Sequence, residues 1–370
     1  MMMTDSELTS EERYEYISSQ HGGYWRHDFI DHNYLYNLYF PPEDFFSHAS
    51  AHIKQLVLNY PVAQKDLACL VGKLINQPPE KIAVGNGAAE LIKIIAGMDR
   101  KLIVPVPSFN EYINAAPVGN VVQFELSQPS FQLDVDKFAA AAIRCKAELA
   151  VVVSPNNPTS LLVPKDELLR LTNLLAPHNC MLIVDESFID FARNGGGETL
   201  ENEIEQHQNL TIFKSMSKAY GICGIRIGYM LTANSDFLEK VRQGLHIWNI
   251  NGFAEEFLRL APQYKQRFSE SCAKVMADRD LFYQHLKSIP EMTVYPPDAN
   301  YIFCRLPDHS MSGPEVTKKL FIDHNIYIKH CEGKTMPESD RYLRIASRTQ
   351  AENLLLVEAL RNILVISSHP

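Results

Sequence analysis

LTIFKSMSKAYGICGIRIGYMLT, residues 210–232, sets a lysine between two apolar runs. LTIF (210–213) and IGYMLT (227–232) each have the length and texture of a strand buried on both faces. Between them stands Lys218, with Ser217 directly before it, Ser215 three residues before it and Arg226 eight residues after it. A lysine at a strand end among apolar neighbours can lose its charge by desolvation, and a neutral amine is the nucleophile that forms imines. A lone lysine is more often a solvated surface charge. Two hydroxyls and a guanidinium alter that reading, because together they make a phosphate clamp in which Arg supplies a bidentate fork.

Upstream, further runs KIAV (81–84), KLIVPV (101–106), AELAVVV (147–153) and CMLIV (180–184) alternate with helical patterns such as AAELIKIIAGM (88–98) and PKDELLRLTNLLAPH (164–178). This βα alternation predicts an α/β domain with a mainly parallel central sheet. After Asn251 the texture changes. A long amphipathic segment (255–288) precedes two apolar runs, ANYIFCRL (299–306) and YLRIAS (342–347), and a helical pattern, AENLLLVEALRNIL (351–364). The expected organisation is a large domain over 46–250 and a smaller α+β domain made of 1–45 and 251–370.

Composition narrows the function classes. A formal net charge of −9 argues against a nucleic-acid partner, which would need a basic face. No apolar stretch reaches the roughly 20 residues that span a bilayer. The polar, acidic start MMMTDSELTSEERYEYISSQ (1–20) is unlike a signal peptide. Seven scattered cysteines without a CxxC pair read as reduced cytoplasmic thiols, and no metal site is expected.

In an open parallel sheet, ligands bind in the loops beyond the carboxyl ends of the strands. Those loops read GNGAAE (85–90), PSFNEY (107–112), SPNNPTS (154–160), DESF (185–188) and KSMSK (214–218). GNGAAE follows a strand and opens a helix, so its free N–H groups form an anion site. It departs from a dinucleotide fingerprint at Glu90, which stands where the third glycine belongs. Asp185, seen alone, is also a plausible helix cap. Two other motif-like strings fail: Ser215–Lys218 has the S-x-x-K spacing of serine β-lactamases without the companion elements, and Gly333-Lys334-Thr335 lacks the first glycine of a P-loop.

SMSKAYGICGIRIGY (215–229) resembles the lysine signature of fold-type I pyridoxal-phosphate (PLP) enzymes. Nearly the whole chain is similar to class I/II aminotransferases of the aspartate-aminotransferase fold. The resemblance implies that Lys218 carries PLP as a Schiff base and that Asp185 pairs with the pyridine nitrogen, so the ring can accept electrons. It implies that Asn157 donates to the cofactor's 3′ oxygen, with Ser160 in place of a usual glycine. Gly87, Ala88 and Ala89, with Ser215, Ser217 and Arg226, become the phosphate site. Phe109 matches an aromatic residue that stacks on the ring, although a core phenylalanine is the bland alternative. Tyr60 in LNYP resembles a tyrosine that reaches a partner's phosphate across a homodimer. Arg344, between Leu343 and Ile345, is expected to bind the substrate α-carboxylate, or else an internal acid. Arg348 is a candidate for a substrate phosphate. Phe188 stands where relatives often carry a tyrosine, and it has no hydroxyl to offer.

Within the family the chain is similar to histidinol-phosphate aminotransferases and threonine-phosphate decarboxylases. His21-Gly22-Gly23, DESFIDF (185–191), IWNIN (247–251) and LRIASRT (343–349) lean toward the decarboxylases. Transamination, the commoner outcome among relatives, ranks first: an amino group moved between an amino acid and a 2-oxo acid or aldehyde. Decarboxylation of a phosphorylated amino acid is the alternative. A binding-only domain is disfavoured by the complete set of cofactor contacts.

Overall fold

The apolar runs become strands in the computed structural model of the protein, which describes residues 8–194, 196–290 and 292–366. The chain divides into two compact units, Tyr36–Met276 and Met1–Leu35 with Ala277–Pro370.

The larger unit is built on seven strands: β1 (Ile82–Gly85), β2 (Leu102–Val106), β3 (Val121–Glu125), β4 (Leu149–Val153), β5 (Met181–Asp185), β6 (Leu210–Ser215) and β7 (Gly228–Thr232). Their order across the sheet is β1-β7-β6-β5-β4-β2-β3. β7 runs antiparallel to both neighbours, and the remaining pairings are parallel. Every residue of β2, β4 and β5 is buried, which is why their sequences show no polar alternation. Side chains of successive residues enter two different cores: Val152, Val184 and Ile212 pack with helices Gln64–Ile75, Val135–Arg144 and Lys165–Leu175, whereas Val151, Ile183 and Phe213 pack with Gly87–Ala96 and Ser235–Gly244. Side-chain caps start several of these helices; Asp134 accepts from Lys137 N and Asn234 from Phe237 N.

Residues 36–45 and 251–276 lie in the larger unit rather than the smaller, which corrects the boundaries drawn from sequence texture. The reason is specific contact. Asn37 Nδ2 donates to Ala219 O at 2.9 Å and Ser271 Oγ at 2.8 Å. Tyr220 stacks on Phe268 with centroids 4.1 Å apart, and helix Gly252–Leu260 packs against Glu43–Leu58 and Gln64–Ile75.

In the smaller unit, Lys329–His330, Tyr342–Ala346, Tyr301–Arg305 and Thr293–Val294 form an antiparallel sheet in that order. Ile30–Asp31 pairs in parallel with Ile326–Tyr327. Leu343, Ile345, Ile302 and Cys304 join Leu356, Leu360 and Ile363 of the C-terminal helix in its core. Among the described residues, no helix is long and apolar enough to cross a membrane.

Candidate active site

The carboxyl ends of β1 and β6 meet at the start of β7, where Gly228 pairs with both Gly85 and Ser215. Two glycines make that approach possible. A Cβ on Gly228 would lie 2.5 Å from Ala88 N, and one on Gly87 would lie 2.3 Å from Arg226 Nη2. Gly87 also has φ +70°, in the left-handed region that glycine adopts without strain. Arg226 Nη1 donates to Ser217 Oγ at 3.2 Å and to Cys223 O at 3.3 Å. The helix opening at Gly87, Ala88 and Ala89 presents N–H groups that lack intrahelical acceptors. N–H donors, a hydroxyl and a guanidinium therefore close on one space, a cradle whose chemistry suits a phosphate. Glu90 is no defect in a fingerprint: its Oε2 accepts from Asn86 N and from Asn249 Nδ2, both at 2.7 Å, and ties the cradle loop to residue 249.

Lys218 lies half-buried in the short helix Met216–Ala219 that follows β6. Its carbonyl accepts from Asn37 N at 2.9 Å and from Gly221 N at 3.2 Å. Gly221, at φ +63°, passes so close to Phe40 O and Asn37 O that a Cβ would collide with both. The strap around Asn37, not foreseen from sequence, thus fixes the lysine turn.

Asp185 ends β5 and is buried. Its Oδ2 accepts from the Tyr112 hydroxyl at 3.0 Å, and its Oδ1 from Ser187 N at 3.0 Å and Ser187 Oγ at 2.5 Å. Burial pushes the Asp185 carboxyl above its usual range, while Ser187, Tyr112 and the Lys218 charge pull the other way. Ser187 Oγ also accepts from Ser215 N at 3.0 Å, so one hydroxyl joins the acid-bearing strand end to the lysine-bearing one. Burial, with Asp185 nearby, raises the Tyr112 phenol well above its ordinary value and keeps it a donor.

Phe109 is half-buried and meets Tyr112 edge to face, centroids 6.5 Å apart. Asn157 is buried in the loop after β4. Its neighbour Asn156 accepts from Ser108 Oγ at 2.9 Å and donates to Pro107 O and Thr159 Oγ1, joining the ends of β2 and β4. Ser160 has φ +63°, and its N–H reaches Asn156 O at 2.7 Å. The serine replacing glycine therefore still adopts a left-handed turn. Phe188 is buried. Tyr60 is 77% exposed and stacks on Trp248 at 4.2 Å.

Arg344 and Arg348 belong to the smaller unit. Arg344 Nη2 donates to Asn33 O at 2.8 Å and Asn33 Oδ1 at 3.1 Å, and its guanidinium lies 5.9 Å from the Tyr301 ring centroid. Burial draws its pKa down while the Tyr301 and Asp31 groups oppose that. Arg348 is engaged with Glu352 at 3.0 Å and with Asp31 O at 2.9 Å. Among the described residues, no group of three or more His, Cys, Asp or Glu side chains could hold a metal.

The larger unit thus brings together a glycine-shaped anion cradle, a buried acid at the end of β5 and a lysine just beyond the end of the neighbouring β6, a set whose chemistry suits PLP. Comparison with known proteins agrees. The family described as Aminotransferase class I and II matches residues 39–360. The chain is 40% identical over 353 residues, 95% of its length, to a CMP-5'-(3-aminopropyl)phosphonate synthase from Streptomyces rubellomurinus, and spans only 56% of that protein. It is 30% identical to an L-serine phosphate decarboxylase from Sulfurospirillum multivorans, covering 84% of this chain and 81% of the relative. The crystal structure of a histidinol-phosphate aminotransferase from Clostridium acetobutylicum superposes with a TM-score of 0.82 at 26% identity, covering 90% of this chain and 98% of the other. The chain belongs to the aminotransferase class I and II family, fold-type I enzymes whose cofactor is pyridoxal phosphate.

Proposed function

We propose that this chain is a PLP-dependent decarboxylase of an amino acid that carries a phosphate or phosphonate. The observation that carries the choice of reaction is the identity of its relatives. An L-serine phosphate decarboxylase and a CMP-5'-(3-aminopropyl)phosphonate synthase share 30% and 40% of aligned positions. Both names join an amine to a phosphorus acid, and removing a carboxyl group from an α-amino acid is the direct route to a primary amine. Transamination, which ranked first on the sequence, becomes the second reading; the fold shared with histidinol-phosphate aminotransferase keeps it in view.

When bound, PLP supplies an electron sink for the substrate carbon. In this reading Lys218 holds the cofactor covalently, and Gly87, Ala88, Ala89, Ser215, Ser217 and Arg226 hold its phosphate. Asp185 keeps the pyridine nitrogen protonated, oriented by Tyr112 and Ser187. Asn157 donates to the 3′ oxygen, and Phe109 stacks on the ring. Arg344, half-buried and oriented by Asn33, is assigned the substrate's α-carboxylate. Arg348, engaged by Glu352 and by Asp31 O, is read here as a structural support, and a substrate phosphate is the other role open to it.

The test supplies the PLP-loaded protein with O-phospho-L-serine, O-phospho-L-threonine and the phosphonate amino acid whose loss of CO2 gives 3-aminopropylphosphonate. Each is run with and without a 2-oxo acid. CO2 and a primary amine should form without the oxo acid. Amino transfer that needs the oxo acid and releases no CO2 would reverse the assignment.

A further inference from the structure

On the sheet face opposite Asp185 lies a second set of buried ionisable groups. Residues alternate along a strand, so Glu186 and Lys214 follow Val184 and Ile212 to the face away from Ile183 and Phe213. Lys214 Nζ lies 3.1 Å from Asp190 Oδ1. Glu186 accepts from Thr199 Oγ1 at 2.5 Å and Leu200 N at 2.7 Å, and Glu201 accepts from the Tyr229 hydroxyl. Glu186, Glu201 and Lys214 are 1%, 9% and 8% exposed. Asp190 Oδ2 is buried without a hydrogen-bond partner. Tyr220 and Cys272 are the other titratable groups that act on this set.

Three carboxyl groups face one ammonium. Fully ionised, they would leave two negative charges uncompensated in a poorly solvated place, which a protein avoids by keeping a proton. Burial and the Glu201 charge push the Glu186 carboxyl up to about 7, against Lys214, Thr199 and Leu200. Burial pulls the Lys214 ammonium down, but Asp190, Glu201 and Glu186 carry it well above its usual value. The set is joined to the cofactor face by short links. Glu186 N donates to Phe213 O at 2.8 Å, and the next residue, Ser187, bridges Asp185 Oδ1 and Ser215 N.

We infer that Glu186 is a positioning residue that carries an exchangeable proton behind Asp185, and that its ionisation tunes the potential in which the cofactor on Lys218 titrates. The coupling rests on the proposed roles of Asp185 and Lys218; the proton on Glu186 does not. An acid whose folded pKa lies above its unfolded value, roughly 4.3, binds more protons when folded. Its stabilising contribution is complete below that value and is lost as pH rises through about 7. Glu186→Gln fixes the neutral form and keeps an acceptor for Leu200 N.

The PLP-loaded protein and its Glu186→Gln variant are compared between about pH 4 and 8, a range that contains both pKa values. A protonated-carboxyl band in the infrared spectrum should disappear as pH rises in the parent protein and be missing from the variant. The variant's Tm relative to the parent should rise over the same range. The visible-absorbance titration of the bound cofactor should move to lower pH by roughly half a unit or more, because a nearby negative charge is gone. A carboxyl band that titrates unchanged in the variant, or a Tm difference independent of pH, overturns the proton assignment. An unmoved absorbance titration with the infrared band lost overturns the coupling. If the variant does not fold, a parent protein without a titrating carboxyl band overturns it. None of these readouts depends on which substrate is decarboxylated.

Discussion

Asp185 and Tyr112 divide the work of one contact. In the role proposed for it the carboxylate stays ionised in a buried place, although burial favours its proton. Ser187 and Tyr112 oppose that by donating to the charged form. Asp185→Asn should therefore keep the fold and bind PLP, yet lose at least roughly a hundredfold in the chemical step, about 3 kcal/mol. Single-turnover kinetics are the check, and a near-normal rate would remove Asp185 from its role. Tyr112→Phe deletes one of the donors and leaves the others. A loss of only a few-fold in kcat is expected, with about 1 kcal/mol of stability. Urea melts read the second quantity, and no change in either would make Tyr112 a packing residue. Sequence alone makes Asp185 visible, because it follows a strand-like apolar run. Tyr112 escapes it, since the contact joins residues 73 positions apart. Asn37 escapes for the same reason, reaching Ala219 across 182 positions.

Among the elements, the loop from β1 into helix Gly87–Ala96 carries the sharpest contrast between two small residues. At Gly87 a methyl group would meet the mobile end of the Arg226 side chain, whereas at Gly228 it would meet backbone at Ala88 N. Gly87→Ala should displace the guanidinium and weaken PLP binding about tenfold or more, worth roughly 1.4 kcal/mol. A left-handed alanine adds a stability loss of about 1–2 kcal/mol. Gly228→Ala should instead prevent normal folding, because strand and helix start cannot both move. Cofactor titration and thermal melting of each variant separate the two outcomes; equal losses of binding and stability at both sites would show no division of roles. In the smaller unit, Arg348→Ala should raise KM for phosphorylated and plain amino acids alike, as befits a side chain committed to Glu352. A selective rise for phosphorylated substrates would return Arg348 to the substrate. The same scale shows what a one-dimensional reading can see. β2, β4 and β5 are legible because burial on both faces leaves unbroken apolar runs. β3 escapes notice as the sheet's edge, where Gln123 and Glu125 are exposed and break the run. The division into Tyr36–Met276 and the rest differs from the one that texture suggests, because amphipathic helix looks the same whichever core it covers.

At the scale of the whole molecule, the larger unit leaves apolar side chains in water that a folded chain normally covers. Helix Glu43–Leu58 exposes Phe46, Ile53, Val57 and Leu58, and beyond it Tyr60 stacks on Trp248 beside the exposed Ile247. Single exposed apolar residues are ordinary, but a run of them along one helix marks a surface that meets another protein. The partner we propose is a second copy of the chain, with Tyr60 directed to the partner's cofactor phosphate. Two charges on that face should oppose association, since a buried unpaired charge costs several kcal/mol. Sedimentation should therefore give about twice the 42.0 kDa chain mass for the parent protein. A Val57→Lys/Leu58→Lys variant should give the single chain mass with native circular dichroism, bind PLP weakly and turn over little substrate. Tyr60→Phe should remain dimeric, retain the stack on Trp248 and raise the PLP dissociation constant several-fold, as loss of one hydroxyl contact to a charged group implies. A fully active monomer would remove both the shared site and the second copy from the account of this enzyme. A dimer whose PLP affinity ignores Tyr60→Phe would leave the interface standing and deny that tyrosine its place in the neighbouring phosphate site.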